Sequence, residues 1–474
     1  MSKSPTEHVE LSPTKLENAS DALYEAYASK GPEWHQQMTR RLLRKVDLHL
    51  LPFLVVMYLL NFLDRNNLSQ ARLGTLEKDL GMTGTDFNLA TSILFVGYLL
   101  MQLPSNLLLT RVKPSWLLGG AMAIWGIISA AQAGTTSFTG LVLARFFLGF
   151  VEAPFFPGAI MLMCVELLSH RIAWFYAGSS LANAFGGLIG AGVLGNLDGA
   201  HGIAGWRWLF IIEGSITVGI SLFSAISLPN YPATTSWLDE TEQAYAQWRL
   251  INDAGEADDT NAVRIKDALV MVFRDRRIYL FILLQHCSLL SQTFQYFFPT
   301  IVKTLGYGSI ETLLITAPVW VATFLVSLLV TWTSGRTNDR SWHIVGLMSV
   351  SAVGCIICTA TTNIGARMPM GAVSAYQIII AWVANSFPRP LVKRSAAIAT
   401  ANMIGNTATI YGSYMWPSSS GPRYVPGGSA TAVVAVLVAL LASVIRMVHV
   451  RMNKRLEEQE RDHEVDNPGF RYIL

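Results

Sequence analysis

An acid and a base stand side by side in Asn61-Phe62-Leu63-Asp64-Arg65-Asn66-Asn67-Leu68-Ser69, at the end of an apolar run that begins near Leu48. Charge at the centre of a bilayer costs roughly 2.5–3.5 kcal/mol per residue on insertion scales, so such a pair marks an ion or substrate pathway by default. Leu48 to Leu63 is only 16 residues. A membrane helix needs about 20, which carries the run on through Asp64 and Arg65. The plainer alternative ends the span at Leu63 and leaves the pair in the interface. A second pair stands in Arg145-Phe-Phe-Leu-Gly149-Phe-Val-Glu152-Ala153-Pro154-Phe-Phe-Pro157-Gly158. The seven-residue spacing of Arg145 and Glu152 sets both on one helix face, about two turns apart. Gly149 between them lets another backbone approach, and Pro154 and Pro157 kink the helix beyond Glu152. These charges should face a bundle interior, as a proton and anion device or as a static ion pair that fixes packing.

The elements that must hold them are membrane helices. Hydrophobic residues make up 51% of the 474, charged ones 14%, and mean hydropathy is +0.38, a composition foreign to soluble domains. The spacing predicts an all-α membrane protein of twelve spans in two six-helix bundles. The first six spans cover about 48–69, 87–109, 115–134, 138–165, 172–194 and 206–228. The second six cover about 278–300, 311–333, 343–362, 368–386, 395–415 and 430–447. The division is a tail at 1–47, a bundle at 48–228, a polar loop at 229–277, a bundle at 278–447 and a tail at 448–474. Two such halves imply nested inverted repeats. With both tails inside, 27 of the 35 Lys and Arg fall on the inner side and five (Arg72, Lys78, Lys303, Arg367, Arg423) outside, which fixes orientation with both termini cytoplasmic. The basic run Arg40, Arg41, Arg44 and Lys45 then anchors at the headgroups. His343 to Ser386 is 44 residues, barely room for spans nine and ten, so either the tenth helix is short or part of it is missing around Arg367.

After span eight, Gly335-Arg336-Thr337-Asn338-Asp339-Arg340 forms a Gly-x-x-x-Asp-Arg turn, with Gly335, Asp339 and Arg340 as gating candidates. The first-half counterpart, Thr110-Arg111-Val112-Lys113-Pro114, lacks the Gly and the Asp. Other polar residues in spans are Gln102, Asn183, Glu213, Gln285, His286, Gln292, Tyr296, Tyr376, Gln377, Asn402 and Asn406. Interhelical hydrogen bonds account for most such residues. His286, Tyr296, Asn402 and Asn406 stand as substrate contacts, His286 also because an imidazole can relay a proton near neutrality. Gly190-Ala-Gly192-Val-Leu-Gly195 has no strand before it and serves helix packing instead of a dinucleotide. Cys355-Ile-Ile-Cys358 has neither a second pair nor a nearby His and also reads as packing. No metal, cofactor or enzyme active site is expected, and a formal charge of +3 does not point to nucleic acid.

Asn-Phe-Leu-Asp-Arg-x-Asn-Leu in span one, with Arg-Phe-x-x-Gly-x-x-Glu-Ala in span four, resembles the anion:cation symporters of the major facilitator superfamily, from about Val46 to Asn453. Ser386-Phe-Pro-Arg-Pro-Leu-Val-Lys-Arg394, Gly405 to Pro417 and Gly421-Pro-Arg-Tyr424 resemble its fungal allantoate and nicotinate permease branch. The resemblance implies a twelve-helix secondary transporter that acts as a monomer on a small organic anion, together with protons. It implies Asp64 and Glu152 as proton carriers, with Arg65 and Arg145 as cationic partners that meet the substrate carboxylate. The expected setting is the plasma membrane. The alternatives are an exporter of a metabolite on the same fold, and a non-transporting nutrient sensor.

Overall fold

In a bilayer every backbone polar group must be satisfied within its own segment, so long apolar runs fold as helices. The computed structural model of the chain describes residues 27, 29–109, 112–163, 168–229, 235, 237–255, 265–361, 371–387, 391–461 and 471–474. Among these residues no strand forms. Span one is Leu51–Ala71, span two Asp86–Leu109 and span three Pro114–Ala131. Span four is Phe138–Glu152 continued by Phe155–Met163, span five Leu168–Asn196 and span six Gly205–Ser227. Span seven is Arg277–Gln292 continued by Phe298–Lys303, span eight Ser309–Thr337, span nine Ser341–Ala360, span ten Gly371–Ser386, span eleven Leu391–Gly412 and span twelve Val425–Arg461. The segment around Arg367, the expected start of span ten, Arg111 and Pro388-Arg389-Pro390 lie outside the described residues.

One expected break and two differences from the sequence reading have local causes. Span four breaks after Glu152, where Pro154 has no N–H to donate. Span seven passes through a 3-10 turn at Thr293–Tyr296 before Pro299. Span twelve runs on to Arg461, far past the apolar stretch, because Glu, Lys and Arg are good helix formers in water. The polar loop is also not structureless, and carries the helices Glu240–Gly255 and Ile265–Arg274.

The chain divides into two compact units, Leu51–Leu228 with Ile265–Leu474, and Met1–Leu50 with Pro229–Arg264. In the smaller unit, helix Pro32–His49 meets Glu240–Gly255. The buried Glu242 takes Lys45 and, at 2.7 Å, Arg41. Tyr27, Trp34, His35, Tyr245 and Trp248 stack beside it, with His35 and Trp248 at 4.7 Å between ring centres.

In the larger unit, spans five and eight, and spans two and eleven, pack across the two halves. At the end holding the one–two, seven–eight and eleven–twelve loops the halves are tied together. Arg72 donates to Ser418 Oγ at 2.8 Å, while Lys303 Nζ and Ser309 Oγ donate to the Leu73 carbonyl at 3.1 and 2.7 Å. Deeper in, Asn88 donates to the Ser413 carbonyl and Ser92 bonds Ser413 Oγ. At the opposite end of the second half, Arg471–Leu474 docks on its own bundle. The Tyr472 carbonyl accepts from Asn453 at 2.9 Å, and the Ile473 carbonyl from Trp382 Nε1 at 3.0 Å and His449 Nδ1 at 2.9 Å. The Leu474 carbonyl accepts from the N–H groups of Arg340 and Ser341, which open span nine.

Candidate functional site

A cavity at mid-depth between the halves encloses about 770 Å³ of atom-free space, open solvent included. Its wall combines Asn61, Arg65, Tyr98 and Glu152 from the first half with Gln292, Tyr296, Tyr376, Asn402 and Asn406 from the second. Apolar and aromatic walls with a few convergent polar groups are the usual form of a small-molecule site. Both helix breaks open here, since Glu152 ends the first part of span four and Tyr296 ends the turn in span seven. Irregular backbone at membrane depth is tolerated where it lines a cavity.

Depth is set by close packing of spans two and four. A Cβ on Gly149 would stand 1.9 Å from the Leu94 carbonyl oxygen, and one on Gly97 would stand 2.1 Å from that of Phe146. The two glycines lock the helices in register, with Arg145 and Glu152 both turned inward and 2% exposed.

Arg65 Nε pairs with Glu152 Oε1 at 2.7 Å, and Asn61 donates to the same oxygen. Glu152 Oε2 is buried with no hydrogen-bond partner among the described residues. The Arg65 guanidinium also lies 5.0 Å from the ring centre of Tyr98 and 5.4 Å from that of Phe62, a cation–π setting that holds its plane. Arg145 meets no acid within ion-pair distance among the described residues. It donates instead to the carbonyls of Asp64 (3.3 Å) and Arg65 (2.9 Å). Asp64 faces away from the cavity. Ser129 donates to its Oδ1 at 2.6 Å and Thr217 to its Oδ2 at 2.8 Å. The ion pair therefore runs between motifs, and the second arginine staples backbone.

In the second half, Asn402 Oδ1 accepts from Tyr376 at 3.0 Å and from Asn406 at 3.2 Å. Tyr296 is buried in the wall. His286 does not join them. Gln285, Leu289 and Gln292 recur at helical spacing towards the interior, and His286 is out of phase with them. Its Nδ1 meets the Ile404 carbonyl at 3.2 Å and its Nε2 the hydroxyl of the exposed Tyr411 at 2.6 Å. Around the turn, Asp339 Oδ1 accepts from the Trp342 N–H (3.1 Å) and Ser341 Oγ (3.0 Å), and Asp339 Oδ2 pairs with Arg446 of span twelve. Arg340 Nη1 donates to Ser334 Oγ at 2.9 Å, and Gly335 sits within the last turns of span eight. These bonds all stay inside the second half.

The sequence reading missed Tyr58, Tyr98 and Tyr176, which line the cavity, and Arg72 as a tie between halves. Tyr98 offered a signal, since Phe95 and Tyr98 repeat at i, i+3 on span two. Arg72 offered none, because its partner is 346 residues away.

Residues 54–413 match the family model described as Major Facilitator Superfamily. The chain is 32% identical to the MFS-type transporter cnsO of Penicillium expansum, over 97% of this chain and 96% of that one. It is 30% identical to a protein of Agrobacterium vitis named as a candidate tartrate transporter, over 87% and 96% of the two chains. Among solved structures it resembles a bacterial homologue of the lysosomal transporter Spinster, inward-facing and unoccupied, with TM-score 0.63 at 14% identity over 87% and 96%. A D-xylose–proton symporter matches with TM-score 0.61 at 16% identity over 83% and 97%.

Proposed function

This chain belongs to the Major Facilitator Superfamily, and from that premise we propose that it carries a small organic anion across the membrane together with protons. The observation that carries the reading is Arg65 in the cavity wall, paired with a Glu152 whose second oxygen has no hydrogen-bond partner among the described residues. An incoming carboxylate competes with Glu152 for the guanidinium. The displaced Glu152, buried among aromatic rings, is then in the setting where a carboxylate takes up a proton. Anion and proton binding become linked through one cation, and the linkage is reciprocal.

The aromatic lining favours a planar acid of nicotinate type, and the name of one relative speaks of tartrate, also an organic anion. Plasma-membrane placement, cytoplasmic termini and action as a monomer complete the proposal. The test is uptake of radiolabelled carboxylates by permease-deficient yeast expressing the chain, at about pH 5 and about pH 7.5, either side of the histidine range. Acid-stimulated uptake that is lost in Glu152→Gln supports the reading. A surface-localised protein with no acid-stimulated uptake of any carboxylate refutes it.

A further inference from the structure

Asp64 is the lower of two polar layers between spans one, three and six. From Asp64 to Asn67 is three residues, from Ser129 to Gln132 three, and from Thr217 back to Glu213 four. Spans one and three run in one direction and span six in the other. The three steps therefore climb together, about 5 Å towards the one–two loop end. The upper layer is Asn67, Gln132 and Glu213, exposed by 0%, 0% and 1%. None of the three lines the cavity.

The two layers differ in how they are satisfied. Asp64 has a hydroxyl on each oxygen. Among the described residues Glu213 has no hydrogen-bond partner on either oxygen, Gln132 has none on either amide atom, and Asn67 Oδ1 has none. Asn67 stands beside Glu213 without forming a hydrogen bond of good geometry. The region is close-packed, with a Cβ on Gly214 falling 2.5 Å from the Ala130 nitrogen. Among the described residues Asp64 of span one is the ionisable group within electrostatic reach of Glu213. Span three presents the neutral Trp125 and Ser129, the turn Gln132–Gly134 that follows it presents Gln132, and Arg207 on Glu213's own helix donates to the Ala133 carbonyl. A bare carboxylate in such a place costs several kcal/mol, so the acid needs a bound cation or a proton. Asp64 alone already uses both hydroxyls, and the amides of the upper layer are neutral. A proton is the cation that needs no further ligands.

We propose that Glu213, with Asn67 and Gln132, is a second proton-holding station that supplies Asp64 along spans three and six, by a route separate from the anion's cavity. In the step, a water molecule entering between the layers takes the proton from Glu213 and passes one of its own to a carboxylate oxygen of Asp64, so that one O–H bond breaks at Glu213, one forms at Asp64 and the water is regenerated. Glu213, left anionic, takes the next proton from the one–two loop face. The proposal rests on the proton-coupled reading above.

The experiment compares wild type, Glu213→Gln and Glu213→Asp in proteoliposomes, measuring uptake of radiolabelled nicotinate and tartrate driven by a pH gradient and exchange of the same acids at equal pH. A hydrophobic carbodiimide, which modifies protonated buried carboxyls, supplies an independent readout by peptide mass spectrometry. Expected are wild-type labelling at Glu213 that declines as pH rises, a drop of about tenfold or more in gradient-driven uptake for Glu213→Gln with a much smaller drop in exchange, and partial rescue by Glu213→Asp. Gradient-driven uptake in Glu213→Gln equal to wild type overturns the station. So does absence of labelling at Glu213, or labelling that sodium chloride suppresses relative to choline chloride at one pH. A wild type with no gradient-driven uptake refutes the symport reading instead, and labelling still reads Glu213.

Discussion

Two arginines that look alike in sequence do different work in the fold. Arg145 ties down the carbonyls of Asp64 and Arg65, a fork that a single ammonium reproduces poorly. Arg145→Lys should therefore lower the melting temperature and lower uptake about tenfold through kcat, with KM little changed. Arg65 faces the cavity and is held flat against Phe62 and Tyr98. Arg65→Lys keeps the charge but loses the plane, so KM should rise about tenfold while the melting temperature stays put. Transport kinetics and a thermal melt on both variants decide the division, and matching effects would refute it. Asp64, Arg65, Arg145 and Glu152 were legible as charges in apolar runs. Their partners were not, because Ser129, Thr217 and Asn61 are ordinary residues in their own spans. His286 misled for a related reason, since residue type says nothing about helix phase until a neighbouring helix defines the interior.

Helix packing carries two further expectations. Gly149→Ala drives a methyl into the Leu94 carbonyl, and overpacking of this kind costs about 1–3 kcal/mol or more. Detergent-extracted Gly149→Ala should melt lower and elute as aggregate in size-exclusion chromatography, whereas Gly120→Ala, with open space at its Cβ, should behave as wild type. The loops add a pH dependence. Partial burial works to raise the Asp339 carboxyl, but the Trp342 N–H, Arg446 and Ser341 more than offset it and hold it below the usual carboxylate range. Burial is likewise outweighed at Asp275 by Arg277 and Lys393. A depressed folded value gives stability that is complete above the unfolded value of about 3.9 and is lost as pH falls through the folded one. Melting temperature should hold from about pH 7 to about pH 5 and fall below about pH 4. Asp339→Asn should melt lower at neutral pH and show a shallower acid fall. The spans themselves were legible from hydropathy, since apolar runs leave the backbone no other fold. The breaks in spans four and seven were legible only through their prolines, and the helices in the polar loop not at all.

Across the whole molecule, the ties at the one–two loop end hold the halves together in this state. Cysteines at Ser92 and Ser413, whose hydroxyls meet, should cross-link under mild oxidation. Uptake should then stop and should return with reductant. Full uptake in the cross-linked protein would show that these spans need not part. Such contacts join residues more than 300 apart in sequence, which is why no local pattern announced them. The second half has its own fastening. Arg471–Leu474 shares its carbonyls among the start of span nine, Trp382 of span ten and His449 and Asn453 of span twelve, while the Tyr472 ring lies 4.8 Å from the Arg277 guanidinium at the head of span seven. Four helices fastened to one short peptide cannot slide independently. Whatever rocking the two halves perform, this corner of the second must turn as a rigid block, with its hinge elsewhere.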